Sequence, residues 1–125
     1  MTDETDYVDV NEWLDERQLY KEAIEQFGAA NQVVVAMEEA SELVQALAKI
    51  IRYSDDEQEL EKLRDHIAEE MADVLIMCNQ LGIIFNIESE VVTWMDKKLD
   101  RLAKRLEEEK KDDIQTTPIS DGSDQ

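Results

Sequence analysis

EEMADVLIMCNQLGIIF, Glu69 to Phe85, is the stretch that decides the fold. Its second half is almost wholly apolar, and from residue 71 to residue 87 the only charge is Asp73. Asp73, Asn79, Gln80 and Gly82 interrupt the run, so it falls short of the roughly 20 apolar residues that cross a bilayer. It reads instead as the buried part of a helix. The preceding residues, EQELEKLRDH from Glu57, are charged, which predicts one helix from about Glu57 to Phe85 that enters the core as it proceeds.

Working outward, Ser54-Asp55-Asp56 signals a turn and an N-cap, and closes a second helix that runs from about Ala30 to Tyr53. Before it, Trp13, Leu14, Leu19, Tyr20, Ala23, Ile24 and Phe27 recur at spacings of mostly three or four, from a possible Asn11 cap to Gly28. After Phe85, Val91, Val92, Met95, Leu99, Leu102 and Leu106 stripe a fourth helix from about Glu88 to Lys110. Three Gly and one Pro leave few places for a sheet to turn, and no strand alternation or internal repeat is visible. The expectation is an all-α domain over residues 11–110, a four-helix bundle, between an acidic tail at 1–10 and a disordered one at 111–125. The second and third helices are apolar round much of their circumference, more than one thin bundle buries, so dimerisation is expected to complete the fold.

With 32 acidic residues against 13 Lys and Arg, the net charge of −19 repels nucleic acids and anionic membranes. A metal or a basic partner suits it better, and a phosphate ester would need divalent cations between itself and this surface. Cys78, the single cysteine, lies in the apolar run and forms no intrachain disulfide. The acidic start MTDETDYVDV does not resemble a signal peptide, so a cytosolic protein is expected.

The informative feature is where charge survives. Across residues 26–48 the only charged side chains are Glu38, Glu39 and Glu42. At 100° per residue these span an arc of about 100° with Glu42 in the middle. Glu70 and Asp73 stand one turn apart. If the second and third helices are antiparallel neighbours, the acids converge. Two unit charges about 5 Å apart repel by roughly 3 kcal/mol at an effective dielectric near 20, so the cluster demands cations or protons. All-oxygen ligation suits Mg²⁺ or Mn²⁺. Glutamates such as Glu57, Glu59, Glu61, Glu69 and Glu107 to Glu109 read as a solvated face, whereas Asp73 is a weak helix former isolated in an apolar run. A di-iron bundle would need Glu-x-x-His from two helices, but the sole His66 follows Leu63 at that spacing and reads as a boundary residue. No Ser/His/Asp set or Gly-rich phosphate loop is present.

Glu38-Glu39-Ala40-Ser41-Glu42 followed by Glu70-Met71-Ala72-Asp73 resembles the EExxE…ExxD signature of the MazG-like, all-α nucleoside triphosphate pyrophosphohydrolases, and the likeness runs from about Tyr20 to Leu106. It implies Mg²⁺, with Mn²⁺ as a substitute, held by Glu39, Glu42, Glu70 and Asp73, with Glu38 as a further ligand or a polariser of water. It also implies Lys98 and Arg101 beside the phosphates, a homodimer or homotetramer, and cleavage of a nucleoside triphosphate to monophosphate and pyrophosphate. Glu38 or Glu39 would be the base, and Trp13, Phe27, Gln32 and Asn79 would read the nucleobase. The chain departs from many relatives in the long connection between Glu42 and Glu70, and in Asp96, where those relatives carry Asn. A non-catalytic helical dimer that keeps the acids as a metal or partner site is the alternative; an acidic coiled-coil scaffold is a third, and it leaves Asp73 unexplained.

Overall fold

The computed structural model describes residues 10–53 and 55–116, and nearly all of them are helical. The four helices are α1 (Val10–Phe27), α2 (Ala29–Arg52), α3 (Glu57–Ile84) and α4 (Glu88–Thr116). None of the described helices is long and apolar enough to cross a membrane. Each begins or ends within a residue or two of its expected boundary, with one exception: α4 continues to Thr116, past the Lys110 at which the sequence suggests a tail. Beyond Lys110 the chain reads Lys111-Asp112-Asp113-Ile114-Gln115-Thr116, with no Gly or Pro to stop the helix. Residues 1–9 and 117–125, and with them most of the expected tails, lie outside the described residues.

Local chemistry sets the breaks. Gly28 has φ +90° and ψ 139°, a conformation that L side chains rarely adopt, and its N–H still bonds Ile24 O at 2.9 Å. The chain thereby turns from α1 into α2 within one residue. Asp56 caps α3, its Oδ1 accepting from Gln58 N at 3.1 Å and Glu59 N at 3.3 Å, while Glu57 and Glu59 face the positive end of the helix dipole. At the far end of α3, Asn86 takes φ +53°, Ile87 N–H reaches Gly82 O at 2.9 Å, and Asn86 N–H reaches Ile83 O at 3.2 Å. This is a Schellman closure with Asn in the usual glycine place.

The chain forms two units that meet at Ile87 and Glu88. In the first, α2 and α3 pack along their length and α1 leans on both. Gln32 near the start of α2 donates to Gln80 near the end of α3 at 2.7 Å, so the two helices are antiparallel. Asn79 Nδ2 donates to Tyr20 Oη at 3.4 Å, tying α3 to α1, and Tyr20 in turn donates to Glu16 at 2.7 Å. Among the described residues of this unit, the most deeply buried side chains are the apolar Ala46 at 1% exposure and Met77 at 6%, beside the polar Gln32, Glu70 and Gln80. An interface with so polar a centre gains little from apolar transfer, and most of the large apolar residues of α2 and α3 stand outside it.

The second unit is α4. Its stripe from Val91 to Leu106 is exposed, Lys104 pairs with Asp100 at 3.2 Å, and Lys97 lies 5.1 Å from the Trp94 ring centre. Such exposed pairs contribute little to stability.

Candidate metal centre

The antiparallel register set by Gln32 and Gln80 decides what faces what. Two turns along α2 from Gln32 stands Glu39, and two turns back along α3 from Gln80 stands Asp73, with Glu70 one turn further. One carboxylate oxygen each from Glu39, Glu70 and Asp73 lies within 4.8 Å of the other two. Glu70 is 7% exposed, and Glu39 and Asp73 are partly buried. Three acids from separate stretches of chain therefore meet between two helices.

They meet without internal compensation. Oε2 of Glu39 and Oε2 of Glu70 are buried and have no hydrogen-bond partner. An unpartnered buried oxygen costs about 1–3 kcal/mol, and more when charged, so the arrangement is complete only with something that accepts those lone pairs. Burial, followed by the charges of Glu42 and Asp73, pushes the Glu39 carboxyl up to about 7. Burial and then Glu42 also raise Glu70, against a lowering by His66. His66 Nδ1 stands 3.8 Å from Glu70 Oε1 and 3.9 Å from Glu69 Oε2, a partial counter-charge when protonated.

The donor set fits a hard divalent cation. Mg²⁺ holds oxygens at about 2.0–2.1 Å, so ligands on opposite sides of one ion are about 4.2 Å apart. Neighbouring ligands on such a shell are about 2.9 Å apart, so side-chain rotation that draws these three oxygens inward would seat them around one ion. The set contains neither thiolate nor imidazole at the centre, which argues against a structural zinc site. Three carboxylates leave several octahedral positions for water or phosphate oxygens.

Not every expected residue joins the group. Glu42 is exposed and lies outside the three-oxygen set, although its carboxylate is near enough to act on both Glu39 and Glu70. It flanks the cluster because its place on α2 is turned toward solvent. Glu38 is likewise exposed. Gln32 is buried with its amide N–H committed to Gln80, and Asn79 is exposed and bonded to Tyr20, so both amides link helices here. Phe27 is exposed beside Gly28, Lys98 and Arg101 are exposed on α4, and the Trp13 side chain lies outside the described residues.

Two participants escaped the sequence reading. Gln80, noted only as an interruption of the apolar run, sets the register. His66, taken as a boundary residue, sits one turn before Glu70 and faces it. The signal for both was spacing on α3: His66, Glu70, Asp73, Met77 and Gln80 recur at intervals of three and four. Family models, curated proteins and solved structures yield no match to this chain.

Proposed function

We propose that the chain is a Mg²⁺-dependent nucleoside triphosphate pyrophosphohydrolase of the MazG-like kind, assembled as a homo-oligomer, that cleaves between the α- and β-phosphates to give monophosphate and pyrophosphate. The observation that carries the reading is the cluster of Glu39, Glu70 and Asp73, with two buried oxygens lacking partners, at the spacing of the acidic signature. Mn²⁺ would satisfy the same donors.

Bound there, a divalent cation would supply charge neutralisation for the triphosphate and a lowered pKa for coordinated water. The chain's own residues have separable tasks. Glu39, Glu70 and Asp73 hold the cation, with Glu42 beside them as a fourth carboxylate. Glu38, adjacent in sequence and exposed, is the carboxylate left to accept a proton from an attacking water, with Glu39 as the other candidate base. By the resemblance, Lys98 and Arg101 take the β- and γ-phosphates; on α4 they are one turn apart, which suits two oxygens of one polyphosphate.

The test is pyrophosphate release over a panel of nucleoside triphosphates, standard and modified, with Mg²⁺ or Mn²⁺. Turnover of at least one member, abolished in Asp73→Ala, is expected. Protein that binds metal and is stabilised by it, yet turns over no nucleotide, would establish the non-catalytic metal-binding module instead.

A further inference from the structure

His66 belongs to the row on α3 that continues through Glu70, Asp73, Met77 and Gln80. It precedes Glu70 by one turn, about 40° away in rotation, so the two side chains share a face. Its Nδ1 lies 3.8 Å from Glu70 Oε1 and 3.9 Å from Glu69 Oε2. Those two carboxylates differ. The Glu69 side chain is 73% exposed and has water for a partner, whereas that of Glu70 is 9% exposed. A donor therefore matters far more to Glu70. In the register that pairs Gln32 with Gln80, the α2 residue level with His66 is Ala46, which is fully buried and has no polar side-chain atom to compete.

The two oxygens of Glu70 also have different surroundings. Oε1 is the one beside His66, and Oε2 is buried without a partner. A carboxylate free to pivot about its last bond loses that freedom when one oxygen takes a cation, unless the other oxygen is already held. The separation of Nδ1 and Oε1 exceeds hydrogen-bond length by roughly 1 Å, a gap that rotation of the half-exposed imidazole closes. The imidazole is not itself a member of the ligand group formed by Glu39, Glu70 and Asp73. Whatever it does for the cation is done through Glu70.

We infer that His66 is a positioning residue: its Nδ1–H donates to Glu70 Oε1 and turns Oε2 toward the cation. Glu70 thereby stays a one-oxygen ligand, and the remaining coordination positions are left to water and phosphate oxygens. The role needs only the neutral ring with its proton on Nδ1. Resting on the metal-site reading, it adds a residue that touches neither the cation nor the nucleotide.

The test is Mg²⁺ titration of the full-length protein at pH 8, comparing wild type with His66→Ala, His66→Asn, His66→Gln and, as reference, Glu70→Gln. The amide nitrogen of asparagine falls near the place of Nδ1, and that of glutamine near the place of Nε2. Alanine is expected to weaken binding by roughly ten- to a hundredfold, asparagine to restore it to within about threefold of wild type, and glutamine to stay close to alanine. All three His66 variants should keep the wild-type melting temperature in EDTA. Should the alanine variant not fold, the contrast between asparagine and glutamine decides. Electron spin-echo spectra of the Mn²⁺-loaded wild type should show no directly coordinated nitrogen. Binding that survives His66→Ala but is lost in Glu70→Gln overturns the inference and leaves the metal site standing. Equal rescue by asparagine and glutamine, a loss of binding matched by a lower melting temperature in EDTA, or nitrogen bound to Mn²⁺ does the same. A folded wild type that binds no Mg²⁺ removes the site and the inference together.

Discussion

Gln32 donates to Gln80 at 2.7 Å across the α2–α3 interface, and both side chains are buried. Two turns away in the same register, Glu39 faces Asp73. A slip of one turn in this pairing would separate the acids and strand two amides away from water. The amide pair thus specifies the alignment on which the acidic cluster depends, as a buried polar pair does in a coiled-coil seam.

Replacing either amide alone by leucine is expected to cost about 1–3 kcal/mol, because the remaining amide is buried without its partner. The double variant Gln32→Leu/Gln80→Leu should recover much of that loss. Urea unfolding of the four proteins measures the coupling, and additive losses would show that the bond does not hold the register.

The pH dependence of the metal-free protein follows from Glu39, whose carboxyl is raised from an ordinary 4.5 to about 7. Between those values the folded state retains a proton that the unfolded chain has released. Stability therefore falls as pH rises through that window and levels off above it. Melting temperatures in EDTA from pH 5 to 8 should decline for the wild type and flatten in Glu39→Gln, which should also be the more stable of the two at pH 8. A wild-type profile that rises toward neutral pH would refute the assignment.

At Gly28, a Cβ would meet nothing within 4 Å, so the cost of a side chain there is the backbone conformation alone. Gly28→Ala and Gly28→Ser should each lose about 1–3 kcal/mol, and by similar amounts, since neither meets a steric obstacle. Thermal denaturation compares them; a serine variant much worse than alanine would point to crowding instead.

Lys98→Ala is expected to reduce kcat/KM for a triphosphate by tenfold or more, from loss of a charged phosphate contact, while leaving metal affinity unchanged. Steady-state kinetics beside metal titration separates the two effects. Unchanged kinetics would remove Lys98 from the phosphate site.

The helices were legible because their signals are local. Gly28, Asp56 and the charge contrast along Glu57 to Phe85 mark breaks that depend on a few adjacent residues. Asp73 was legible as well, since an aspartate in an apolar helix requires a partner wherever the helix packs. The division of labour among the acids was not. Glu39 and Glu42 lie 60° apart on one helix by simple rotation, and only the packed structure shows Glu39 partly buried within the cluster and Glu42 exposed beside it. Gln80 was overlooked because an amide in an apolar run resembles an interruption until its counterpart Gln32 is seen opposite.

The central claim is that Glu39, Glu70 and Asp73 form one divalent-cation site. Calorimetric titration of the metal-free protein with Mg²⁺ and Mn²⁺ at pH 8 tests it most directly, repeated with Glu70→Gln and Asp73→Asn. The account predicts saturable binding that weakens at least tenfold in each variant, with proton release at pH 6.5 as the cation displaces the proton on Glu39. Absence of saturable binding by the folded wild type, or binding that both variants retain unchanged, would contradict it.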